Sequence, residues 1–511
     1  MPLDPHAANL TVAVIGTGTM GRGIVQVAAQ GGMRVIAYDE KPGAATMAKD
    51  YIGKMLAGLV EKGRVTAAEA KATLDRIAIG HALEDVAKAN VVIEAIVERL
   101  DIKQSLFQRL DQLCGPNIIL ASNTSSLPVT AIAAKCRYPE RVGGMHFFNP
   151  VPLMKLVEVI GGLKTAAWVT EALMVVGRRM TRDPVLCIDS PGFLVNHAGR
   201  AYSTESPRIL TEGIAKHWEI DRIMTGAPGF KLGTFALADM VGIDVGYAVM
   251  ESLYQQFQYE PAYAPNPLSA LRAAGGLYGQ KTNAGWYAYK DGKRVEPEVA
   301  PAPKALPKSV WVRPRDQHPE LIVPLVELFR KSDVTVETGA KPSDGALIML
   351  SQIGYDLATA IQDLRLDTTR TVAVDVLFGL KGPRTLMVCP ATGPAMRDAA
   401  HALLASDGQP VIVINDSPGF VAQRTVAMIV NTGCNIAQRG IASPADIDKA
   451  TKLGLGYPFG PLEWGDLLGP KLVLQILECL HTFYAEPRYR PSPWLKRRVI
   501  LGLPLSAPEG R

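Results

Sequence analysis

The chain lacks the features that mark several common protein classes. Its six cysteines (Cys114, Cys136, Cys187, Cys389, Cys434 and Cys479) are scattered through 511 residues, with no CxxC pair and no nearby histidine ligands. That distribution argues against a zinc site or a disulfide framework and fits a reducing, cytoplasmic setting. No apolar run reaches the roughly 18 residues of a membrane-spanning helix, so no membrane segment is expected. The stretch Met1–Asn9 has no secretory core, because Leu10–Ile15 already reads as a strand. Excess charge is missing too: 54 Lys+Arg against 49 Asp+Glu leaves +5, which gives no argument for nucleic acid or a membrane surface. What remains is an ordinary globular composition, 48% hydrophobic and 20% charged, long enough for three or four domains at about 150 residues each.

Leu10–Ile15 runs directly into Gly16-Thr17-Gly18-Thr19-Met20-Gly21 and then into a helical pattern ending near Gln30. Met33–Tyr38 reads as a second strand and ends at Asp39. Glycines between a strand and a helix suit a dinucleotide: Gly16 for the tight turn, Gly18 for pyrophosphate approach, Gly21 for close helix packing. The helix start, with its unpaired N–H groups, favours the anion. Asp39 can accept the ribose hydroxyls and would repel a 2′-phosphate, which selects NAD over NADP. The expected fold here is therefore a Rossmann-type doubly wound sheet. Lys54, Lys62 and Arg64, on and after the next helix, either meet a phosphorylated ligand or form a solvated face. Glu98 and Lys103 either bond the cofactor or pair with each other. The loop Ser122-Asn123-Thr124-Ser125-Ser126, at the end of strand Ile118–Ala121, serves as a helix cap, a substrate contact or both.

His146 falls at the end of a short strand from Arg141, and Glu158 lies inside the apolar run Lys155–Ile160. A carboxylate in such a run needs a partner. An imidazole facing it is a general base held in one tautomer; the alternative is a structural histidine beside an unrelated glutamate.

These segments resemble the 3-hydroxyacyl-CoA dehydrogenase family through VIGTGTMG, VIEAIVE, SNTSSLP, GMHFFNPVPLMKLVEVI, DSPGFLVN and GQKTNAGWY, in the family's order across residues 10–290. The resemblance implies His146 as catalytic base, Glu158 as its carboxylate partner, and Ser125 and Asn196 as substrate contacts. It implies cofactor contacts at Glu98, Lys103, Asn149 and Lys281, beside Gly16, Gly18, Thr19, Met20, Gly21 and Asp39. Lys62, with Lys54, falls near the family's CoA contact. The implied reaction is NAD-dependent oxidation of a (3S)-3-hydroxyacyl-CoA to the 3-oxoacyl-CoA, with an acyl-CoA as partner and no metal. Two other readings are a dehydrogenase of a free hydroxy or sugar acid and a non-catalytic NAD-binding protein. The length resembles bacterial members of phenylacetate catabolism that act on 3-hydroxyadipyl-CoA, with 3-hydroxybutyryl-CoA of fatty-acid β-oxidation equally compatible. Two departures stand out: His197 replaces the arginine that usually follows the motif asparagine, and Pro207 is expected to kink or end its helix.

The later chain repeats the earlier. Asp416-Ser417-Pro418-Gly419-Phe420 recurs 227 positions after Asp189–Phe193, and Gly213, Asp221, Gly233 and Asp239 recur at the same offset. The expected organisation is an NAD-binding domain over 1–188 and a helical domain over 189–290. A proline-rich linker follows over 291–319, then a degenerate α/β unit over 320–415 and a second helical copy over 416–511. Gln423 stands at the position of Asn196, Asp375 aligns near His146, and no GxGxxG precedes them, so this half reads as structural. The duplication implies either a homo-oligomer or an internal pseudo-dimer.

Overall fold

The computed structural model describes residues 3–314 and 318–510; three linker positions, 315–317, lie outside the described residues. The chain separates into two compact units that are not consecutive in sequence. The first contains residues up to His197 together with Arg439–Leu455; the second contains Ala198–Gln438 and the residues from Gly456 onward.

The first unit begins with β1 (Thr11–Ile15), α1 (Thr19–Gln30) and β2 (Arg34–Tyr38). It continues through α2 (Ala44–Glu61), α3 (Ala67–Asp75), β3 (Ile77–Ile79), β4 (Val91–Glu94), α4 (Leu100–Leu113), β5 (Ile119–Ser122) and α5 (Val129–Ala133). Then come β6 (Val142–Phe147), β7 (Leu156–Gly161), α6 (Ala167–Arg179), β8 (Asp183–Ile188) and a single turn, α7 (Val195–Ala198). The eight strands are ordered β3-β2-β1-β4-β5-β6-β7-β8, and only the β6–β7 pair is antiparallel. Helices on both faces explain why β4 and β5 are buried throughout, as in parallel sheets generally. His146 is the penultimate residue of β6, one residue further into the strand than its apolar run suggests.

The second unit opens with α8 (Arg200–Thr211), α9 (His217–Gly226), α10 (Thr234–Val241), α11 (Ile243–Gln256) and α12 (Pro267–Ala274). Pro207 lies inside α8 and does not end it. Tyr202, Thr204, Glu205, Ser206 and Ile209 are buried around it, so packing outweighs the one lost backbone bond. A small hairpin, β9 (Tyr289–Lys290) and β10 (Lys293–Arg294), follows. The next strand, β11 (Ser309–Val312), starts inside the proline-rich stretch and already belongs to the second sheet. That sheet continues with α13 (Val323–Arg330), β12 (Thr335–Glu337), β13 (Leu347–Leu350), α14 (Leu357–Leu364), β14 (Thr371–Val374), β15 (Arg384–Val388), α15 (Pro394–Leu404) and β16 (Val411–Asn415). Its order is β12-β11-β13-β14-β15-β16, with β14–β15 the antiparallel pair, a shortened version of the first sheet.

The second helical copy consists of α16 (Ala422–Gln438), α17 (Pro444–Leu455), α18 (Pro461–Leu468), α19 (Pro470–Tyr484) and α20 (Pro493–Leu501). Its hydrogen bonds reproduce the first copy's. Asp189 accepts from the N–H groups of Val129 and Thr130 at 3.1 and 2.7 Å; Asp416 accepts from those of Leu357 and Ala358 at 2.6 and 2.9 Å. Asp239 holds the amides of Trp286 and Tyr287, and Asp466 those of Leu505 and Ser506. No helix among the described residues is long and apolar enough to cross a membrane.

Candidate active site

The glycine turn after β1 is built by steric necessity. Gly16 has φ +88°, and a Cβ there would lie 2.7 Å from the carbonyl oxygen of Ala95. A Cβ on Gly21 would lie 1.7 Å from the oxygen of Gly16, so only glycine lets α1 start this close to β1. Gly18 is the N-cap of α1 and has nothing within 4 Å of the place a Cβ would take. Thr19 opens the helix on its exposed side, while Met20 packs against the core. Asp39 is held at the end of β2: its carboxylate accepts from the N–H and hydroxyl of Thr17 at 2.7 and 2.9 Å and from the N–H of Lys41 at 3.0 Å. A cavity of ≈ 730 Å³ lies beside these residues, lined by Gly16, Gly18, Asp39, Val97, Ile102 and Arg109 among others. An open glycine, an unpaired helix start and a fixed carboxylate fit the pyrophosphate and ribose of a dinucleotide.

At the ends of β4 and β5 a buried ionic cluster shapes the serine-rich loop. Lys103 is buried and bonds Glu94 at 2.6 Å and Glu98 at 3.3 Å. Glu94 also accepts from the hydroxyl of Ser122 and the N–H of Ile96, both at 2.7 Å. Glu98 Oε1 gathers the loop: the Thr124 hydroxyl at 2.6 Å, the Ser125 N–H at 2.9 Å and the Ser126 N–H at 3.1 Å all donate to it. Burial works to raise the Glu98 pKa, but the Thr124 hydroxyl, Lys103 and the Ser125 N–H outweigh it and hold the carboxyl below the usual range. Of the two sequence readings for Glu98 and Lys103, the pairing with each other is present. Glu94 was missed by the sequence reading, although it too is a carboxylate set against an apolar strand, at the end of β4 where Glu158 lies within β7.

His146 and Glu158 stand directly opposite in the β6–β7 ladder, so both side chains leave the sheet on one face. His146 Nδ1 lies 2.6 Å from Glu158 Oε2. The other oxygen of Glu158 accepts from the N–H groups of Leu194 and Val195 at 3.0 and 2.7 Å. Those two amides converge because the turn before them takes positive φ at Gly192 (71°) and Phe193 (48°). Glu158 is fully buried, and each oxygen has a donor, as a buried carboxylate requires. Phe148 and Phe193 flank the imidazole, with ring centroids 4.5 and 6.0 Å away. With Nδ1 engaged by the carboxylate, the proton-accepting lone pair lies on Nε2.

Asn196, in α7, donates from Nδ2 to the carbonyl of Ser125 at 3.2 Å, so the serine loop and this turn meet beside β6. Asn123, which the sequence reading passed over, accepts from the N–H of Phe147 at 2.8 Å and ties the loop to the residue after His146. Asn149 is exposed and precedes a cis peptide to Pro150. Lys54 and Lys62 are exposed. Lys281 belongs to the second compact unit, where it pairs with Asp244 at 2.6 Å.

The second half holds a different set at the matching positions. Asp375 donates its N–H to the carbonyl of Thr385, so these residues stand where His146 and Glu158 stand in the first sheet. Gln423 spans the space, accepting from the Gly354 N–H and donating to Asp375, both at 2.9 Å.

The NAD-binding-domain model of 3-hydroxyacyl-CoA dehydrogenase matches residues 11–190, and the C-terminal-domain model matches twice, over 192–289 and 419–507. The chain belongs to the 3-hydroxyacyl-CoA dehydrogenase family and is an NAD-dependent enzyme of that class. It is similar to the 3-hydroxyadipyl-CoA dehydrogenase of Escherichia coli (strain K12), 38% identical over 96% of this chain and 98% of that protein. It is similar to a solved 3-hydroxybutyryl-CoA dehydrogenase from the same organism, with TM-score 0.84 and 36% identity over 96% of this chain and 98% of that one. A probable 3-hydroxybutyryl-CoA dehydrogenase of Bacillus subtilis (strain 168) is 41% identical across 97% of its own length, which matches only 55% of this chain.

Proposed function

We propose that the enzyme oxidises the 3-hydroxyl of a (3S)-3-hydroxyacyl-CoA to the 3-oxoacyl-CoA, with His146 as general base. The observation that carries this reading is the 2.6 Å bond from His146 to a carboxylate whose far oxygen two backbone amides hold still. NAD, when bound, supplies the acceptor for the hydride that leaves C3. His146 Nε2 takes the hydroxyl proton, a contribution of about 10²–10⁴-fold for a positioned base. Glu158 keeps the ring in the accepting tautomer and stabilises the imidazolium as it forms. Ser125 and Asn196 hydrogen-bond the substrate oxygens where charge develops. Asp39 selects NAD, and Glu98, Lys103 and Asn149 support its binding. Lys54 and Lys62 meet the CoA phosphates.

The names of the full-length relatives favour a short or dicarboxylic acyl chain, of the 3-hydroxybutyryl or 3-hydroxyadipyl type. The tandem helical copies act as a pseudo-dimer within one chain. The scattered free cysteines suit the cytoplasm. The test is NADH oxidation with acetoacetyl-CoA, 3-oxoadipyl-CoA and free acetoacetate. Turnover of the thioesters is expected; turnover of the free acid alone would overturn the CoA assignment.

A further inference from the structure

The first compact unit holds one segment far from the rest in sequence: Arg439–Leu455, containing α17 of the second helical copy. It is attached by specific contacts. The N–H of Ile188, at the end of β8, donates to the carbonyl of Ile441 at 3.0 Å, and Lys449 Nζ reaches the carbonyl of Pro184 at 3.3 Å. Ile447, Ala450 and Thr451 are fully buried. At the end of α17, a Cβ on Gly454 would fall 2.8 Å from Leu156 Cδ2 and 3.1 Å from Val195 Cγ1. Leu156 begins β7, two residues before Glu158 on the same strand face, and Val195 supplies the shorter of the two amide bonds to Glu158.

The second unit contains the mirror arrangement. Asn415, 227 positions after Ile188, donates its N–H to the carbonyl of Ile214, 227 positions before Ile441, at 2.9 Å. A Cβ on Gly226, at the end of α9, would fall 2.2 Å from Pro383 Cδ, and Pro383 is the counterpart of Leu156. The helical copies are thus crossed: α9 of the first backs the sheet that lacks His146 and Glu158, and α17 of the second backs the sheet that carries them.

We propose that α17 is a positioning element of the active site. On this reading Gly454 sets the seat of Leu156 and Val195, and through them the hold of the Leu194 and Val195 amides on Glu158. The inference rests on the reaction proposed above. It makes the second half, which carries no catalytic quartet of its own, a working part of the first.

The test compares full-length Gly454→Val with Gly226→Val at the end of α9, one position out of the 227-residue register, which adds the same bulk against Pro383 just before β15. For Gly454→Val we expect kcat with acetoacetyl-CoA to fall about tenfold or more, since small misplacements near a reacting centre are costly. NADH affinity should stay within about twofold of the parent, and the acid limb of the kcat pH profile should move. Hydrogen exchange of the Leu194 and Val195 amides should quicken. Gly226→Val should leave kcat, the pH profile and those amides as they are, whatever it does to the melting temperature. Should Gly454→Val fail to fold, Gly454→Ala, whose Cβ meets Leu156 Cδ2 and both γ-methyls of Val195, should show the same pattern in weaker form. Parent-like kcat and exchange in the Gly454 variants, or equal effects from Gly454→Val and Gly226→Val, would overturn the proposal. A parent enzyme without thioester turnover would instead overturn the reaction, and the exchange measurement would still decide the role of α17.

Discussion

At the scale of single residues, the proposed chemistry rests on how a fully buried carboxylate is satisfied. Glu158 spends one oxygen on two amides and the other on His146, so removing the imidazole leaves the carboxylate anchored and the nucleotide turn untouched. His146→Ala should therefore lose about 10²–10⁴-fold in kcat while binding NADH as the parent does; unchanged turnover would remove His146 from the mechanism. Its counterpart behaves otherwise. Burial pushes the Asp375 carboxyl up to about 6, against the pull of the Gln423 amide and the Leu377 N–H. Because the folded chain binds this proton more tightly than the unfolded chain, the contribution to stability is full below about pH 4 and is lost as pH rises through about 6. Asp375→Asn should narrow the stability difference between pH 5 and 7.5 in denaturant titrations and leave kcat unchanged. The facing of His146 and Glu158 was legible in the sequence because the strand pattern places them together, and Asn196 only through the resemblance of its turn motif to the family's. Glu94 and Asn123 were not, because what they do, holding Lys103 and the Phe147 amide, depends on neighbours distant in the chain.

At the scale of elements, the duplicated helices carry an ion pair that appears on one side only. Glu205 of α8 and Arg424 of α16, both fully buried, lie 2.6 Å apart, and Arg488 and Tyr489 also bond Glu205 at 2.8 Å. At the 227-residue offset Glu205 corresponds to Thr432 and Arg424 to His197, so the repeat keeps one half of each symmetric pair. Arg424→Met removes one of the two buried cations on Glu205, which keeps Arg488 and Tyr489, and should lower unfolding stability by less than the about 3–5 kcal/mol that a fully unpaired buried charge costs. Combining it with Glu205→Gln should recover part of that loss in a double-mutant cycle; additive losses would mean the two residues are not coupled. The departure at His197 is explained here: the arginine expected after the motif asparagine survives in the second copy, where its glutamate partner comes from the first. The sequence showed the duplication but not this pairing, since the offset alone does not say which copy meets which sheet. Pro207 misled for a related reason, because the rule for an isolated helix ignores the packing that carries α8 through it.

At the scale of the whole molecule, the compact units cut across the repeat. A fragment of residues 1–290 keeps the nucleotide turn, His146 and Glu158 but lacks α17, leaving the apolar seat behind β7 and β8 bare. It should sediment as a dimer, each copy lending its own α9 to the other's β7, much as a relative of single-repeat length has only one helical copy to offer. A stable monomer with parent-like activity would show that the second copy is dispensable. The general architecture was readable beforehand because glycine turns, strand runs and a fixed offset are local signals. The crossing of the copies was hidden because both carry the same pattern.

The placement of α17 also bears on how the enzyme comes into being on the ribosome. Nascent chains fold largely from the N-terminus as they emerge, at about 5–20 residues per second. Here the first sheet is synthesised long before Arg439–Leu455, the segment that closes its back. From Ile188 to Arg439, about half of the chain's synthesis, the histidine-bearing sheet waits with apolar surface uncovered. A ribosome that stops after Asn196 and before Arg439 releases a chain that already carries His146, Glu158 and Asn196 on a sheet still unsupported.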